Sequence, residues 1–150
     1  MPHHPGSALE RACDAQAIPD VLVRDWRGID RRDTALVAST YEPDAFDDHG
    51  YTQGPVSGFL ASLEPGVWAT FDNTQHFAGQ TAVEFASATR ARVESYAEAH
   101  HVRSEPDGAR RDLVWGLRYV DRFAKRDGVW RIAHRVCTWD WHRVDEGVGL

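Results

Sequence analysis

Histidine and aspartate are residue types that can exchange a proton with a small molecule, and this chain has both. Asp30, in the stretch WRGIDRRD, lies four residues after Trp26 on an apolar stripe that predicts a helix. A carboxylate on that face needs a partner, because burying an unpaired charge is costly. His76, in NTQHFAG, is a candidate partner, since a carboxylate that accepts a hydrogen bond from one ring nitrogen leaves the other free to act as a base. These residue types predict a general base, although their spacing alone does not pair them.

Each of these candidates also has a purely structural explanation. Asp30 could cap the RRDT turn, His76 could be a hydrogen-bonded core residue, and His49, which precedes Gly50, could be an ordinary turn residue. A metal site built from Asp30, His49 and His76 is a further alternative, but no ligand spacing argues for it, and we predict no metal. The sequence contains no nucleophile elbow and no glycine-rich phosphate loop.

The composition is that of one globular domain. The chain has 150 residues, of which 42% are hydrophobic, and its net charge is -6. We therefore predict a single domain over residues 1–150, with flexible tails at about 1–8 and 143–150. Because the sequence has no basic cluster and no apolar tract long enough to span a bilayer, neither nucleic acid nor a membrane is an expected partner.

The two cysteines and the N-terminal residues bear on the cellular compartment. Cys13 and Cys137 are far apart in the sequence and are interpreted as reduced thiols. The stretch MPHHPGSALERA has neither the basic nor the apolar region of a secretory signal peptide. These features predict a cytoplasmic protein.

The first part of the chain carries helical signals around one short strand. The predicted elements are a helix over 9–17, a second helix that starts at Pro19 and ends near Ile29, a third that Asp33 caps, a strand in PDAFDD, and a helix over 55–63 that Pro65 and Gly66 close.

The second half of the chain changes character, with alternation of apolar and polar residues in four long segments that predict strands. The turn from Arg126 to Gly128 predicts a hairpin between the last two. Helices followed by an antiparallel meander predict an α+β domain, in which helices cover one face of a curved sheet and an apolar pocket lies between them.

Aromatic residues are the expected walls of such a pocket. On the last strand either His134 or Arg135 should face inward, and a single bulge would exchange the two. The candidate substrate contacts are Trp26, Tyr51, Phe59, Trp68, Phe77, Trp115, Tyr119, Arg135 and Trp139.

Several of these stretches together resemble the SnoaL-like branch of the nuclear transport factor 2-like superfamily. They are RGIDRRD with YEPDAFDDHG, TQHFAG, and RYVDRFAKRDGVWRIAHRVCTWDW, and the resemblance covers about residues 9–141. It implies a cone-shaped barrel, with a strongly curved antiparallel sheet wrapped around N-terminal helices that enclose a hydrophobic pocket. In several members an Asp at the end of a helix orients a His on a later strand, and that motif falls on Asp30 and His76.

The chain departs from enzymes of that branch at positions around the motif. His49 stands where one member has Tyr, and Trp139 stands where the same member has Arg. Asp25, five residues before Asp30, replaces the Tyr or Lys of other members, and Gln80 replaces an Asn. These departures argue against the substrate of any one of those enzymes.

The resemblance and the residues together predict a cofactor-independent lyase. His76, oriented by Asp30, would remove a proton from a hydrophobic, aromatic or alicyclic small molecule, and water, halide or formaldehyde would leave. His49, Arg135 or Tyr119 could polarise the leaving group. The alternatives are an isomerase or cyclase that uses the same base, and a non-catalytic protein that binds a hydrophobic ligand or serves as an oxygenase subunit. The expected assembly is a homo-oligomer, a dimer or a trimer.

Overall fold

Helix α1 runs without a break from Ala8 to Arg31 in a computed structural model of the chain, which describes residues 7–149. The predicted boundary between two helices at Pro19 was therefore wrong. Ile18 and Leu22, on either side of the proline, are both buried in the core. Their packing outweighs the one backbone hydrogen bond that Pro19 cannot donate, because tertiary burial contributes more to a helix than local propensity does.

Two short helices and six strands follow α1. Asp33 caps α2 as predicted, since its carboxylate accepts a hydrogen bond from the Leu36 N–H at 2.9 Å. The elements are α2 (Thr34–Ser39), β1 (Tyr41–Asp48), β2 (Gln53–Pro55), α3 (Val56–Ser62), β3 (Asn73–Ser87), β4 (Arg90–Ser104), β5 (Arg110–Arg126) and β6 (Val129–Glu146).

The structure describes the two predicted flexible tails, residues 1–8 and 143–150, only in part. Residues 1–6 lie outside the described residues. At the other end β6 continues to Glu146, so residues 143–146 belong to a strand and not to a flexible tail.

The six strands form one curved sheet in the order β2-β1-β6-β5-β4-β3, which confirms the α+β prediction. The sheet is not closed, because β2 and β3 are its edges. Strands β3 to β6 form the predicted antiparallel meander, but β1 pairs with β6 in parallel, so the sheet is mixed. In the β5–β6 hairpin, Asp127 and Gly128 both have positive φ, as a tight two-residue turn requires.

A bulge decides which side chain of β6 faces the helices. Arg122 pairs with His134 and Phe123 pairs with Ile132, so one extra residue of β6 is inserted at Ala133. As a result Arg135 faces inward and is fully buried. His134 faces the other side, where its ring stacks on Phe46 with centroids 4.9 Å apart.

The helical segment after β2 is longer than predicted. Pro65 and Gly66 do not close α3, because Leu63–Trp68 continues it as a π-helical turn. Pro65 has no N–H to donate, so the α-helical hydrogen-bond pattern cannot pass through it unchanged. Leu63, at the start of this turn, is fully buried in the core.

The inner face of the sheet and the buried face of α1 share one hydrophobic core. It includes Val21 and Leu22 from α1 and Val93, Phe123 and Ile132 from the sheet. None of the helices within residues 7–149 is long and apolar enough to cross a membrane.

Replacing Gly28 with alanine is expected to lower the free energy of unfolding by about 1–3 kcal/mol, although alanine is the better helix former. A Cβ at Gly28 would lie 2.6 Å from Val37 Cγ2 and 3.0 Å from the Val37 backbone nitrogen, where α1 and α2 meet. Urea unfolding measures the change.

Gly58 provides the matched control. A Cβ at this position in α3 would meet nothing within 4 Å, so Gly58→Ala should stabilise the protein by up to about 1 kcal/mol. Substitutions of equal effect at Gly28 and Gly58 would contradict the close packing of α1 on α2.

Candidate active site

A cavity of about 310 Å³ lies between the helices and the inner face of the sheet. This is the size of cavity that holds a small organic molecule. Its wall is mostly apolar. Eight of the residues predicted for the site line it: His49, His76, Trp26, Tyr51, Phe59, Trp115, Tyr119 and Trp139.

Trp68 and Phe77 were predicted as walls but do not line the cavity. Trp68 is turned toward α1, where its indole N–H donates to the Ile29 carbonyl at 2.9 Å. Phe77 follows His76 on β3 and therefore faces the opposite side of the sheet, where it is 53% exposed beside His100. Both positions follow from backbone geometry that the aromatic composition did not reveal.

Asp30 and His76 form the predicted pair, in which Asp30 Oδ1 lies 2.7 Å from His76 Nδ1. The same carboxylate accepts from the His76 backbone N–H at 2.9 Å and from the Thr74 hydroxyl at 3.0 Å. Because an ionised carboxylate can only accept, Nδ1 carries the proton and Nε2 is left for the cavity. Asp30 is therefore not the cap of the RRDT turn.

The ionisation state of Asp30 follows from these contacts. Burial disfavours its charged form, but the hydrogen bonds and the charge of His76, together with the Thr74 hydroxyl, outweigh burial and lower the pKa of the carboxyl. Asp30 is thus an anion at neutral pH, as a carboxylate that orients a histidine base must be.

His49 has a carboxylate partner of its own. Its Nδ1 lies 2.6 Å from Asp47 Oδ1, and Asp47 is 1% exposed. Asp47, although it lies near the end of β1, is therefore buried and not solvated. The His49 ring stacks on Phe59, with centroids 4.1 Å apart and planes within 3°, so its orientation in the cavity wall is fixed.

Arg135 lies behind the cavity wall, not on it, and this corrects its expected place among the substrate contacts. The side chain is fully buried and bonds Asp121 through two nitrogens, Nε at 2.9 Å and Nη2 at 2.7 Å. Its Nη1 donates to Asp25 and to the Tyr41 hydroxyl. With its donors engaged in this way, Arg135 organises neighbouring groups and does not reach a leaving group.

The contacts of Arg135 extend to His49. The Tyr41 hydroxyl accepts from Arg135 and donates to Asp47 Oδ2 at 3.1 Å, and Asp47 in turn holds His49. Burial raises the pKa of Asp121, and the opposing effect of the Arg135 charge does not cancel that rise. One guanidinium is thus the shared cation of several buried carboxylates.

Sequence reasoning missed the carboxylates around His49 and Arg135, although strand alternation carried a signal for two of them. Asp47 is two residues from the buried Ala45 on β1, and Asp121 is two residues from Tyr119 on β5. No local sequence pattern could predict the contact between Asp25, on α1, and Arg135, on the last strand.

His101 is a further polar residue of the cavity that the sequence did not single out as a site residue. It is buried, its Nδ1 has no hydrogen-bond partner, and its ring lies 5.9 Å from that of His76. Burial, with a smaller effect from the charge of His76, lowers its pKa from 6.5 to about 4. His101 is therefore neutral at neutral pH.

Within residues 7–149, no group of three His, Cys, Asp or Glu side chains is arranged to hold a metal ion. The alternative of a metal bound by Asp30, His49 and His76 thus has no support in the geometry of that part of the chain.

The sequence matches the SnoaL-like domain family over residues 10–136. The chain is also similar in sequence to hexachlorocyclohexane dehydrochlorinase 1 of Sphingobium indicum. It is 26% identical over 130 residues, which cover 85% of this chain and 82% of the relative.

Solved structures share the fold over most of this chain. A hexachlorocyclohexane dehydrochlorinase of type 2 superimposes with a TM-score of 0.84 at 21% identity, covering 96% of this chain and 97% of its own. A scytalone dehydratase-like protein from Novosphingobium aromaticivorans has a TM-score of 0.80 at 19% identity, with 96% and 93% covered. At these identities the likeness establishes the cone fold alone.

Substituting Arg135 with methionine is expected to lower the free energy of unfolding by about 3–5 kcal/mol, because buried carboxylates lose the cation they share. Arg143→Met is the control. Arg143 also bonds two carboxylates, those of Glu98 and Asp145, but on the exposed surface, where a pair contributes at most about 1 kcal/mol. Chemical denaturation compares the two, and a loss below about 1 kcal/mol for Arg135→Met would contradict the shared-cation network.

The buried His101 makes stability depend on pH with a defined sign. Between pH 6.5 and about 4 the unfolded chain binds a proton at His101 that the folded chain does not bind, so stability falls as the pH falls through this range. His101→Phe removes the effect. Between pH 7.5 and pH 4.5 the free energy of unfolding of the wild type should fall by about 2 kcal/mol more than that of the variant. If the wild type and His101→Phe differ in free energy of unfolding by the same amount at both pH values, the lowered pKa of His101 is contradicted.

Proposed function

The chain belongs to the SnoaL-like domain family, and from that premise we propose that it is a cofactor-independent lyase. In this proposal His76, oriented by Asp30, removes a proton from a hydrophobic, aromatic or alicyclic small molecule, and a leaving group departs. The relationship to a dehydrochlorinase and to a scytalone dehydratase-like protein supports lyase chemistry on this fold.

The observation that carries the proposal is the geometry of His76. Three hydrogen bonds fix the Asp30 carboxylate against β3. One of them is to His76 Nδ1, so the carboxylate holds the ring in one orientation. The side chain of His76 is 6% exposed and lines the cavity. An imidazole held at one nitrogen and open to a cavity at the other has the arrangement of a general base.

The walls of the cavity supply the other requirements of the reaction. Trp26, Phe59 and Trp115 present apolar surface to a substrate. Water is largely displaced when such a molecule fills the cavity, and electrostatic interactions within it become stronger. Holding the reacting C–H bond against Nε2 adds the effect of proximity.

The same geometry favours an enzyme over a protein that only binds a ligand. A binding protein needs the apolar walls but gains nothing from a half-buried carboxylate that holds one nitrogen of a cavity histidine. An isomerase or cyclase would use the same base and differs in that the mass of the substrate is conserved.

Replacing His76 with glutamine is expected to slow proton abstraction by roughly 10²–10⁴-fold. The probe is 4-phenylbutan-2-one in D₂O, whose C3 hydrogens are acidified by the ketone. Proton NMR follows their exchange for deuterium, so the assay reports the base without requiring a leaving group. Asp30→Asn should slow exchange as well, because the carboxylate that orients Nδ1 is lost.

His100→Phe is the matched control for this assay. His100 also pairs with a carboxylate, that of Asp112, but on the outer face of the sheet, and its loss should leave exchange unchanged. Exchange by His76→Gln at the wild-type rate would show that His76 is not the base.

A further inference from the structure

The cavity contains a second histidine–carboxylate pair with a different electrostatic setting. His76 comes from β3, at one edge of the sheet, whereas His49 follows β1 near the other edge. The curvature of the sheet brings both imidazoles to one cavity. Each ring is held at Nδ1 by an aspartate, so each presents Nε2 to the space between them.

The charges behind His49 differ from those behind His76. Asp25, Asp47 and Asp121 are buried and lie in one network with a single cation, Arg135. Three carboxylates and one guanidinium leave an excess of negative charge, which a proton on His49 reduces. Asp30, by contrast, is the one carboxylate bonded to His76 among residues 7–149. Negative charge is therefore in excess behind His49, whereas a single carboxylate is bonded to His76.

The charges around the cavity also restrict which leaving group can depart from a bound substrate. No Lys or Arg side chain is among the described residues that line the cavity, whereas Asp25 does line it. A departing halide is an anion and would find no cation there. An oxygen leaving group is different, because it departs readily only when it receives a proton.

We propose that His49, held by Asp47, protonates the leaving group, and that the substrate is an uncharged molecule with a hydroxyl or alkoxy group on the carbon next to the acidic C–H. This inference rests on the proposed function and specifies its substrate class. The enzyme is then one that releases water or an alcohol.

The step balances without a further reactant. His76 Nε2 takes the proton of the C–H bond, and the electron pair of that bond becomes the new C=C π bond. The C–O bond breaks with its electron pair on oxygen, which receives the proton of His49 Nε2. The products are an alkene with water, or an alkene with an alcohol, and solvent then returns a proton to His49 and removes one from His76.

The remaining neighbours of His49 fix its position without competing for the proton. Its ring stacks on Phe59, with centroids 4.1 Å apart, and the rings of Tyr51 and Tyr119 each lie 6.1 Å away. Burial is the largest effect that raises the pKa of Tyr119, well above 10. Burial likewise raises the pKa of the nearby Cys137 thiol, to about 12. Both groups therefore keep their protons at neutral pH and are much weaker acids than an imidazolium.

A pair of probes with one carbon skeleton tests the proposal. The probes are 4-hydroxy-4-phenylbutan-2-one and 4-chloro-4-phenylbutan-2-one, which share the acidic C–H and give the same enone on elimination. The wild type should convert the hydroxy compound with the higher kcat/KM after subtraction of the uncatalysed rate. In His49→Phe, which preserves the stacking on Phe59, the ratio of kcat/KM for the hydroxy compound to that for the chloro compound should fall by roughly 10²–10³-fold.

Two further variants distinguish a chemical role from a structural one. His49→Gln keeps a polar side chain of similar length but has no proton to transfer, and it should lower the same ratio. Asp47→Asn, which removes the positioning carboxylate, should lower the ratio to a smaller extent. Circular dichroism and thermal unfolding establish that each variant is folded.

The possible results separate the two proposals. A ratio that is unchanged in both folded His49 variants, or a wild type that prefers the chloro compound, overturns the assignment of His49 and of the oxygen leaving group, while the lyase proposal stands. A wild type that neither eliminates from the pair nor exchanges the C3 hydrogens of 4-phenylbutan-2-one contradicts the proposed function itself.

Discussion

The carboxylate of Asp30 accepts hydrogen bonds from three donors on β3, and this contact fixes the end of α1 against the free edge of the sheet. Strand β3 has a paired neighbour on one side alone, so the His76 N–H on its open side would otherwise lack a strand partner. Asp30 satisfies that N–H and orients the His76 ring with the same group. One side chain therefore joins α1 to β3 and orients the His76 ring.

The second constraint is the presence of charged groups inside an apolar cone. A buried charge is tolerated only with partners, and Arg135 supplies them for Asp25 and Asp121 directly and for Asp47 through Tyr41. The network costs desolvation energy that apolar residues would avoid. What it provides is a fixed carboxylate behind His49, so His49 and His76 are held by independent sets of contacts.

The sequence predicted the parts of this site that local pattern controls. The apolar stripe on α1 exposed Asp30 as an anomaly, and the family resemblance supplied His76 as its partner. Pro19 misled the helix prediction, because packing on both sides overrides one lost hydrogen bond. Alternation within β6 could not place Arg135, since an inserted residue at the bulge reverses the two faces. The pairing of Asp25 with Arg135 spans most of the chain and has no local signature.

The proposed mechanism depends on one tautomer of His76, in which Asp30 holds the proton on Nδ1 and Nε2 is left as the base. Nitrogen-15 NMR of the histidine side chains measures this directly, because long-range couplings to the ring protons distinguish the two tautomers of a neutral imidazole. We expect the Nδ1–H tautomer for His76 in the wild type at a pH where the ring is neutral. A neutral His76 that carries its proton on Nε2 would contradict the proposed mechanism.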